Sequence, residues 1–287
     1  MRTMRSDSRI LASPYLVGLA LLIAIPAVGA IALAFSEFAG LDDPSFTGLD
    51  NFVRLVGDDA FWRSLGNSLV YIAIAVPLRL GAAVGFALLL HRRGTGLGAA
   101  RVAAYLPTVV PDVAYALLWL WIFNPFFGPL SLGFSSIGLS SPEWLTDPWA
   151  ARVGIAVMGA FQIGEAFVVA LAARRAIPQS LYEAAAVDGA RPWFTLTRLT
   201  LPVMAPILAL LVLRDVVFTL QTNFVPALVV TEGGPRYATT YLPLFVYENA
   251  FRYFRFGYAS AVTLTMFLIT AAIVFIQFRM ARRWKLL

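Results

Sequence analysis

Cysteine is absent from this chain of 287 residues, and histidine and lysine each occur once. The absence of cysteine excludes disulfides, thiol catalysis and Cys-metal sites. The one histidine, His91, stands beside Arg92 and Arg93, and a lone histidine in a basic loop is interpreted as solvated rather than as a metal ligand. The one lysine, Lys285, is too near the C-terminus to serve a P-loop. Without paired carboxylates at a recognisable spacing, the sequence offers no catalytic residues and no metal site, and predicts that the chain is not an enzyme.

Charged residues are also scarce, at 13% of the chain, whereas a soluble domain of this length carries about 25%. Hydrophobic residues make up 60%, and the mean hydropathy is +0.77. One soluble core would not hide that much apolar surface, so lipid must be the solvent for much of it.

Six stretches have the length of about 20 mainly apolar residues that a bilayer-crossing helix needs. They are too long, and too rich in Ala, Leu, Val and Gly, to be strands. The fold predicted is therefore an all-α membrane protein with six transmembrane helices. The predicted spans are Ala12–Phe35, Leu65–Leu90, Val102–Phe123, Trp149–Ala173, Pro202–Val225 and Tyr258–Met280.

Arginine and lysine are distributed unevenly between the two sides of these spans. One set of loops and termini holds 14 of them and the opposite set holds 6. Because cytoplasmic loops carry the excess of Arg and Lys, both termini are predicted to be cytoplasmic. Topology therefore explains the net charge of +6 better than a nucleic-acid partner does.

The N-terminal span has two interpretations. Its basic start, Arg2 to Arg9, followed by an apolar run, is also the pattern of a cleaved signal peptide. The run from Leu11 to Phe35 exceeds the 7–15 residues of a signal core, which favours an uncleaved anchor. We therefore expect one membrane domain over residues 1–287, with an anchor helix at about 12–35, a five-helix core at about 65–280 and a cytoplasmic loop at about 176–200.

That cytoplasmic loop, between spans four and five, has the signals of a short helix. Pro178 suits the first helical turn, and Ser180 and Glu183 have the spacing of a capping box. Ala184 and the two alanines after it favour helix, and Gly189 is placed to end it. A second short helix is predicted from Pro192 toward Arg198. An amphipathic linker between two spans, with Glu183 serving only as a cap, is the alternative that spacing alone leaves open.

The loop also matches a family pattern. Glu183-Ala184-Ala185, three residues, Gly189, nine residues, Leu199, one residue and Leu201-Pro202 resemble the EAA loop of binding-protein-dependent ABC importer permeases, with Leu199 in place of isoleucine. The outer segments Thr47–Phe52, Trp119–Pro125 and Thr231–Pro235 resemble the carbohydrate branch, of the maltose and glycerol-3-phosphate type, and its first-permease subunit.

The resemblance implies the fold of a type I importer membrane domain in a bacterial or archaeal inner membrane, and a set of partners. Two permease subunits, related by a pseudo-two-fold axis, would enclose a path for a sugar, oligosaccharide, polyol or glycerol phosphate. Two cytoplasmic ATPases would carry ATP and Mg²⁺, with no cofactor in this chain, and an external binding protein would deliver the solute. The residues implied in ATPase coupling are Glu183, Ala184, Ala185, Asp188 and Gly189.

Five ionisable residues lie at membrane depth: Arg79, Asp112, Glu165, Arg214 and Asp215. Such residues are costly in lipid and should face the bundle interior, a partner or water. We expect Arg79 to neutralise Asp112. Arg214 and Asp215 are neighbours that point about 100° apart on a helix, so we expect them to face different surroundings, and at least one to meet the second permease or the pore.

Polar and aromatic residues on spans four and five, which flank the cytoplasmic loop, are candidates for the translocation path. Carboxylates and amides beside aromatic rings are the groups that sugar sites use. Interhelical hydrogen bonding is the alternative role. The candidates are Gln162, Glu165, Gln221, Asn223 and Phe224.

An ion-coupled secondary transporter is the rival function, because Glu165, Asp112 and Asp215 are also suitable proton relays. Such carriers often contain two repeats in one chain, and none is visible here. The sequence does not select among the solutes of the carbohydrate branch. A phosphate-bearing solute is one of the options, because Arg79 and Arg214 provide cations that suit a phosphate group.

Overall fold

Helices dominate the computed structural model, which describes residues 12–40, 43–92 and 94–283. Arg2, Arg5, Arg9, Arg93 and Lys285, all of which contributed to the predicted charge asymmetry, lie outside these residues. In chain order the elements are α1 (Ala12–Ala34), β1 (Ser36–Glu37), β2 (Ser45–Phe46), α2 (Asp50–Val56), α3 (Asp59–Leu89), α4 (Leu97–Val109), α5 (Asp112–Ile122), α6 (Pro129–Ser136), α7 (Pro148–Ala160), α8 (Gly164–Ala176), α9 (Gln179–Val187), α10 (Pro192–Thr231), α11 (Leu242–Tyr247) and α12 (Phe256–Arg283).

The six predicted membrane crossings are confirmed. α1, α3, α10 and α12 are each long and apolar enough to cross a bilayer. The pairs α4–α5 and α7–α8 pass the same test of length and composition when each bent pair is counted as one span, which brings the number to six. The short helices α2, α6 and α11 lie in the segments that connect these helices along the chain.

The chain divides into two compact units. The first contains the described part of Met1–Phe61 together with Phe245–Ile269. Here β1 and β2 form an antiparallel pair, with Ser36 opposite Phe46. The side-chain amide of Asn51 donates to the carbonyl oxygens of Ala34, at 3.1 Å, and Ser36, at 2.9 Å. These bonds fix the end of α1 against the start of α2.

The second unit, Trp62–Leu244 with the described part of Thr270–Leu287, contains a core of small and aliphatic residues from α3, α8 and α10. Ala83 and Ala87 on α3 are both fully buried, as is Ala170 on α8. Ala83 and Ala87 are four residues apart, as are Ala166 and Ala170, so each pair lies on one helix face. Small residues let membrane helices approach closely, which is the packing expected when lipid is as apolar as the core.

The third predicted span, Val102–Phe123, is not one straight helix. α4 and α5 meet at an angle of 102°. Pro111 explains the break, since it provides no N–H for a helical hydrogen bond and disfavours helical backbone at the residue before it. Val110 is accordingly extended, with φ −68° and ψ 129°.

The fourth predicted span, Trp149–Ala173, is also broken, by 49° between α7 and α8. Side chains from other helices bond the backbone groups near this break. The Tyr115 hydroxyl donates to the carbonyl of Met158 at 2.8 Å, and Arg79 Nε donates to that of Gly159 at 2.9 Å. The Gly164 N–H donates to Thr108 Oγ1 at 2.9 Å. The Met158 and Gly159 carbonyls also accept from the N–H groups of Phe161 and Gln162, at 3.2 and 3.3 Å, so the side chains add to the backbone bonds at this break.

The helix after the cytoplasmic loop differs from the prediction as well. A separate short helix from Pro192 was expected before a span beginning at Pro202. Instead α10 runs without interruption from Pro192 into the span. Leu196–Thr200 form a π-helical turn within it. The loop and the fifth crossing are therefore mechanically continuous.

Candidate functional site

A charged cavity of about 120 Å³ lies at membrane depth in the second unit. α3, α4, α5, α8, α10 and the α7–α8 break all contribute to it. A smaller cavity of about 30 Å³ adjoins it through Arg79, Asp112, Gln162 and Phe218. The residues that line the larger cavity are Arg79, Thr108, Asp112, Gln162, Glu165, Ala166, Arg214, Asp215 and Phe218.

Arg79 pairs with Asp215, through Nη1 and Oδ1 at 2.9 Å. The predicted Arg79–Asp112 pairing is therefore wrong. Both side chains of the observed pair are buried, with exposed fractions of 7% and 2%. Arg79 also contacts Thr219 Oγ1 at 3.4 Å and donates to the Gly159 carbonyl, so its guanidinium is bonded on several sides. Satisfying a buried charge in this way is the condition for keeping it inside a protein.

The second ion pair joins Arg214 on α10 to Glu165 on α8. Its side chains are 43% and 54% exposed in the isolated chain. The guanidinium of Arg214 also lies over the ring of Phe218, 4.5 Å from the centroid, a position suited to a cation–π contact. Arg214 and Asp215 thus face different partners, as the helical geometry predicted.

Asp112 is the first residue of α5 and is exposed beside the cavity. Within the described ranges its carboxylate has neither an ion-pair nor a hydrogen-bond partner. The break at Pro111 places it there, because the chain turns by 102° immediately before it.

The five predicted path residues separate into two groups. Gln162 and Glu165 line the cavity together with the intramembrane charges. Gln221, Asn223 and Phe224 are not among the lining residues of either cavity. Asn223 is 1% exposed and interrupts α10, with both polar side-chain atoms lacking a hydrogen-bond partner among the described residues.

Sequence reasoning missed Thr108 and Phe218, which line the same cavity. Phe218 had a detectable signal, because it follows Arg214 by four residues and so shares its helix face. Thr108 had none, since its role depends on meeting Gly164, which is 56 residues away.

The helix α9, here called the coupling helix, covers Gln179–Val187. The capping box predicted for Ser180 and Glu183 is wrong: Pro178 occupies the N-cap and no side chain caps the helix. The predicted glycine stop is confirmed, with Gly189 at φ +73°. The Gly189 N–H donates to the Ala186 carbonyl at 3.1 Å and the Ala190 N–H to that of Ala185 at 2.9 Å, the pattern of a Schellman end.

The coupling helix and the start of α10 present an exposed apolar surface. Val187 is 89% exposed, Trp193 74% and Phe194 56%. Glu183, Ala184, Asp188 and Gly189 are exposed as well, whereas Ala185 is half-buried. Contiguous exposed apolar residues of this kind are typical of a protein interaction site.

Tyr182 connects the coupling helix to two membrane spans. Its ring lies under the guanidinium of Arg174 on α8, 4.2 Å from the centroid, and its hydroxyl is 3.0 Å from Thr200 Oγ1 on α10. An open groove of about 570 Å³ runs past it, bordered by Arg92, Ala186 and Pro192 among others. Tyr182 was not singled out in the sequence, although it directly precedes the recognised motif.

His91 is half-buried and hydrogen-bonded, so the expectation of a solvated side chain is corrected. Its Nδ1 is 2.7 Å from the Leu88 carbonyl, and Arg174 lies 3.3 Å from Nε2. A neutral ring that donates from Nδ1 and accepts at Nε2 satisfies both contacts. Burial lowers the pKa of His91 below its usual value; the Leu88 carbonyl opposes this shift, and the charges of Arg174, Arg92 and Arg175 add to it.

Comparison with known proteins agrees with this architecture. Residues 78–286 match the family "Binding-protein-dependent transport system inner membrane component". The "Probable ABC transporter permease protein YesP" of Bacillus subtilis is 32% identical over 277 residues, covering 95% of this chain and 89% of that protein. The "Lactose transport system permease protein LacF" of Rhizobium radiobacter is 32% identical over 252 residues, with 84% and 82% covered.

A solved structure has the same fold. A chain of a bacterial alginate ABC transporter, crystallised in complex with an alginate pentasaccharide-bound periplasmic protein, aligns with a TM-score of 0.83 at 24% identity, covering 98% of this chain and 96% of that one. With several helices able to cross a membrane, a charged cavity within the second unit and a family match over most of its length, this chain is a multi-pass cell-membrane protein that belongs to the inner membrane components of binding-protein-dependent ABC transport systems.

Proposed function

We propose that the chain forms half of the translocation path of an ATP-driven importer for a sugar or related solute. The observation that carries this proposal is the charged cavity, which residues from several membrane-crossing helices line in a chain of this transport family. Relatives named for lactose, trehalose/maltose, sulfoquinovosyl glycerol and sn-glycerol-3-phosphate transport support the solute class.

Two residues are proposed to line the translocation path here: Glu165 on α8, and Gln162 at the break that precedes α8. They stand beside Arg214 and Phe218 of α10, which provide a cation and a ring face in the same cavity. α8 and α10 are also the helices that the coupling helix joins. A movement of the coupling helix would therefore reach the cavity through the two elements that carry the exposed ion pair.

Energy would come from a partner. The coupling helix presents Glu183, Ala184, Asp188 and Gly189 to the surroundings, with Ala185 half-buried behind them. Small side chains let another protein's surface approach closely, and Glu183 and Asp188 would face basic residues of an ATPase. ATP and Mg²⁺ would bind to that ATPase, and this chain would hydrolyse nothing itself.

Tyr182 would transmit the movement. Its contacts with Arg174 and Thr200 join the coupling helix to the ends of α8 and α10. Closure of the ATPases would displace the coupling helix, and the attached spans would rotate as rigid bodies to alternate access to the cavity.

The assembly would contain a second permease related to this chain by a pseudo-two-fold axis, two ATPase subunits and an extracytoplasmic binding protein. The exposed side chains of Glu165 and Arg214 and the exposed carboxylate of Asp112 are compatible with a cavity that the second permease completes. No nucleic acid is involved.

Reconstitution of the complete complex in proteoliposomes tests this function. Glu183→Lys should uncouple ATP hydrolysis from uptake because it reverses the charge at the docking surface. Glu143→Lys, a charge reversal at another exposed carboxylate outside the coupling helix, is the matched control and should transport normally.

A larger side chain at Gly189, the residue that ends the coupling helix, gives a second test. Gly189→Val should also uncouple ATP hydrolysis from uptake. The control is Gly96→Val, which strains a glycine of similar positive φ, +84° against +73° for Gly189, away from the coupling helix. Transport that is unchanged in both Glu183→Lys and Gly189→Val would contradict docking at this helix.

An ion-coupled carrier is the competing function, and the ATPase partner distinguishes it. With a catalytically dead ATPase, uptake should stop. Uptake that persists and follows a proton or sodium gradient would favour the carrier.

A further inference from the structure

The open groove of about 570 Å³ beside the coupling helix is basic. Its walls include Leu88, in the last turn of α3, and Leu196, near the start of α10, so one side of it is formed by the ends of membrane-crossing helices. Arg92 and Arg174 also line it, and no carboxylate is among its lining residues in the described part of the chain. The groove therefore carries positive charge at the level where the spans end.

Neither arginine is neutralised by a residue that the structure describes. Arg174 is half-buried, with Nη2 3.3 Å from Nε2 of His91 and its guanidinium 4.2 Å from the centroid of the Tyr182 ring. The neutral imidazole and the aromatic ring carry no negative charge. Arg92 is exposed, and its side chain has no ion-pair or hydrogen-bond partner within the described ranges. Two guanidinium groups thus share one groove, and the oxygens of a phosphate suit their fork of donors.

The groove lies on a different face of the coupling helix from the surface proposed for the ATPase. Tyr182 and Ala186 are four residues apart, and both line the groove. Glu183 and Val187 have the same spacing about 100° further round the helix, and neither lines it. The coupling helix therefore presents one face to the surroundings and another to the ends of the spans, where lipid headgroups would be within reach.

We propose that this groove binds the phosphate of an anionic phospholipid from the cytoplasmic leaflet. Arg92 and Arg174 would bind the phosphate, and Leu88 and Leu196 would contact the apolar part of the lipid. The inference rests on the proposed function, which puts the coupling helix at the cytoplasmic membrane surface, where anionic lipids make the leaflet negative and basic pockets between spans bind their headgroups. A bound phosphate would neutralise Arg174 where it packs on Tyr182, so the lipid would brace the contact that joins the coupling helix to α8.

Lipid binding to the complete complex, delipidated in detergent, tests the proposal. Native mass spectrometry would measure the affinities for dioleoyl phosphatidylglycerol and for dioleoyl phosphatidylcholine, whose choline group balances the phosphate charge. Wild type should bind phosphatidylglycerol more tightly. Arg92→Gln should weaken phosphatidylglycerol about tenfold per assembled complex, because a charge-assisted hydrogen bond is lost. Arg92→Lys keeps the charge and should retain most of the affinity.

The matched control is Arg198→Gln. Arg198 is an exposed arginine of α10 that does not line the groove, so this variant removes the same charge from the same side of the membrane. It should weaken phosphatidylglycerol far less than Arg92→Gln does. Equal losses in the two variants would overturn the proposal, and so would equal affinities of wild type for the two lipids. Release of phosphatidylglycerol by millimolar inorganic phosphate would assign the groove to a free anion, which would also overturn it.

A cross-link identifies the occupant in the membrane. A photo-crosslinking residue in place of Ala186, which lines the groove, should react with lipid when the complete complex is in nanodiscs that contain phosphatidylglycerol. Reaction with a segment of the ATPase instead would show that the ATPase fills the groove and would contradict lipid binding there.

Failure of the proposed function has a separate signature. In proteoliposomes, that failure would be uptake that continues with a catalytically dead ATPase. The lipid affinities are measured without ATP or solute and do not depend on that result, so the two outcomes are distinguishable.

Discussion

Arg214 and Asp215 are neighbours in the sequence, yet their ion pairs occupy opposite environments. The Arg79–Asp215 pair is almost fully buried, with exposed fractions of 7% and 2%, and is linked to Thr219 and the Gly159 carbonyl. The Arg214–Glu165 pair is about half exposed, at 43% and 54%. One step along a helix, about 100°, thus separates a pair that packing fixes from a pair that is able to exchange partners.

The largest expected effect comes from breaking the buried pair. Asp215→Asn leaves Arg79 buried without a counter-charge, and removing one partner of a buried pair costs about 3–5 kcal/mol. Thermal denaturation of the purified complex should show a clear loss of stability. The double variant Arg79→Met with Asp215→Leu should recover part of it, but not all, because the Gly159 carbonyl loses the bond from Arg79 and keeps only that from the Gln162 N–H. If Asp215→Asn were as stable as wild type, the buried Arg79–Asp215 pair would not differ from the exposed pair in its contribution to stability.

A packing change should reach the same pair without altering a charge. A Cβ at Gly159 would overlap the Tyr71 hydroxyl and lie 3.1 Å from Arg79 Nη2. Gly159→Ala should therefore cost about 1–3 kcal/mol, as overpacking does. Gly81→Ala on α3 is the control, since nothing lies within 4 Å of the new Cβ. Equal melting temperatures for the two variants would show that the buried pair tolerates displacement.

The exposed pair should respond in transport rather than in stability. Glu165→Gln should change the free energy of unfolding by less than about 1 kcal/mol, as for exposed ion pairs in general. It should nevertheless reduce substrate-stimulated uptake, because Glu165 lines the cavity. Glu248→Gln, which breaks the Arg252–Glu248 pair outside the cavity, should leave uptake intact. Loss of assembled complex in Glu165→Gln would instead support a purely structural role for the pair.

The smallest effect concerns the half-buried His91 and its arginine neighbours. Its pKa is lowered on folding, so between that value and the ordinary value of about 6.5 the unfolded chain binds more protons. Stability should therefore fall as pH drops below about 6.5. His91→Asn keeps a donor near Leu88 but does not titrate, so the stability of wild type relative to this variant should decline between pH 7.5 and 5.5. A constant difference would exclude His91 as the titrating group.

The sequence allowed the number and order of the crossings to be predicted, because apolar run length and charge asymmetry are local signals. The break at Pro111 was also readable locally, since proline restricts the residue before it, although the span was predicted as continuous. The partner of Arg79 was not. Asp215 is 136 residues away, and only the packing of α3 against α10 selects it over Asp112.

The coupling helix shows the same limit on a smaller scale. Gly189 was correctly predicted to end it, because a left-handed residue after a helix strongly favours glycine. The capping box does not form, because Pro178 is the N-cap residue and Ser180 therefore lies inside the helix. Tyr182 needed the structure, because its two contacts come from the ends of separate spans.

The bonds at the α7–α8 break have a consequence for how the chain is made. The side chains that satisfy it, from Arg79, Thr108 and Tyr115, all precede Met158, Gly159 and Gly164 in the sequence. Synthesis proceeds from the N-terminus, so these groups leave the ribosome before the kinked span does. The side chains that brace this bent span are thus made before the span itself.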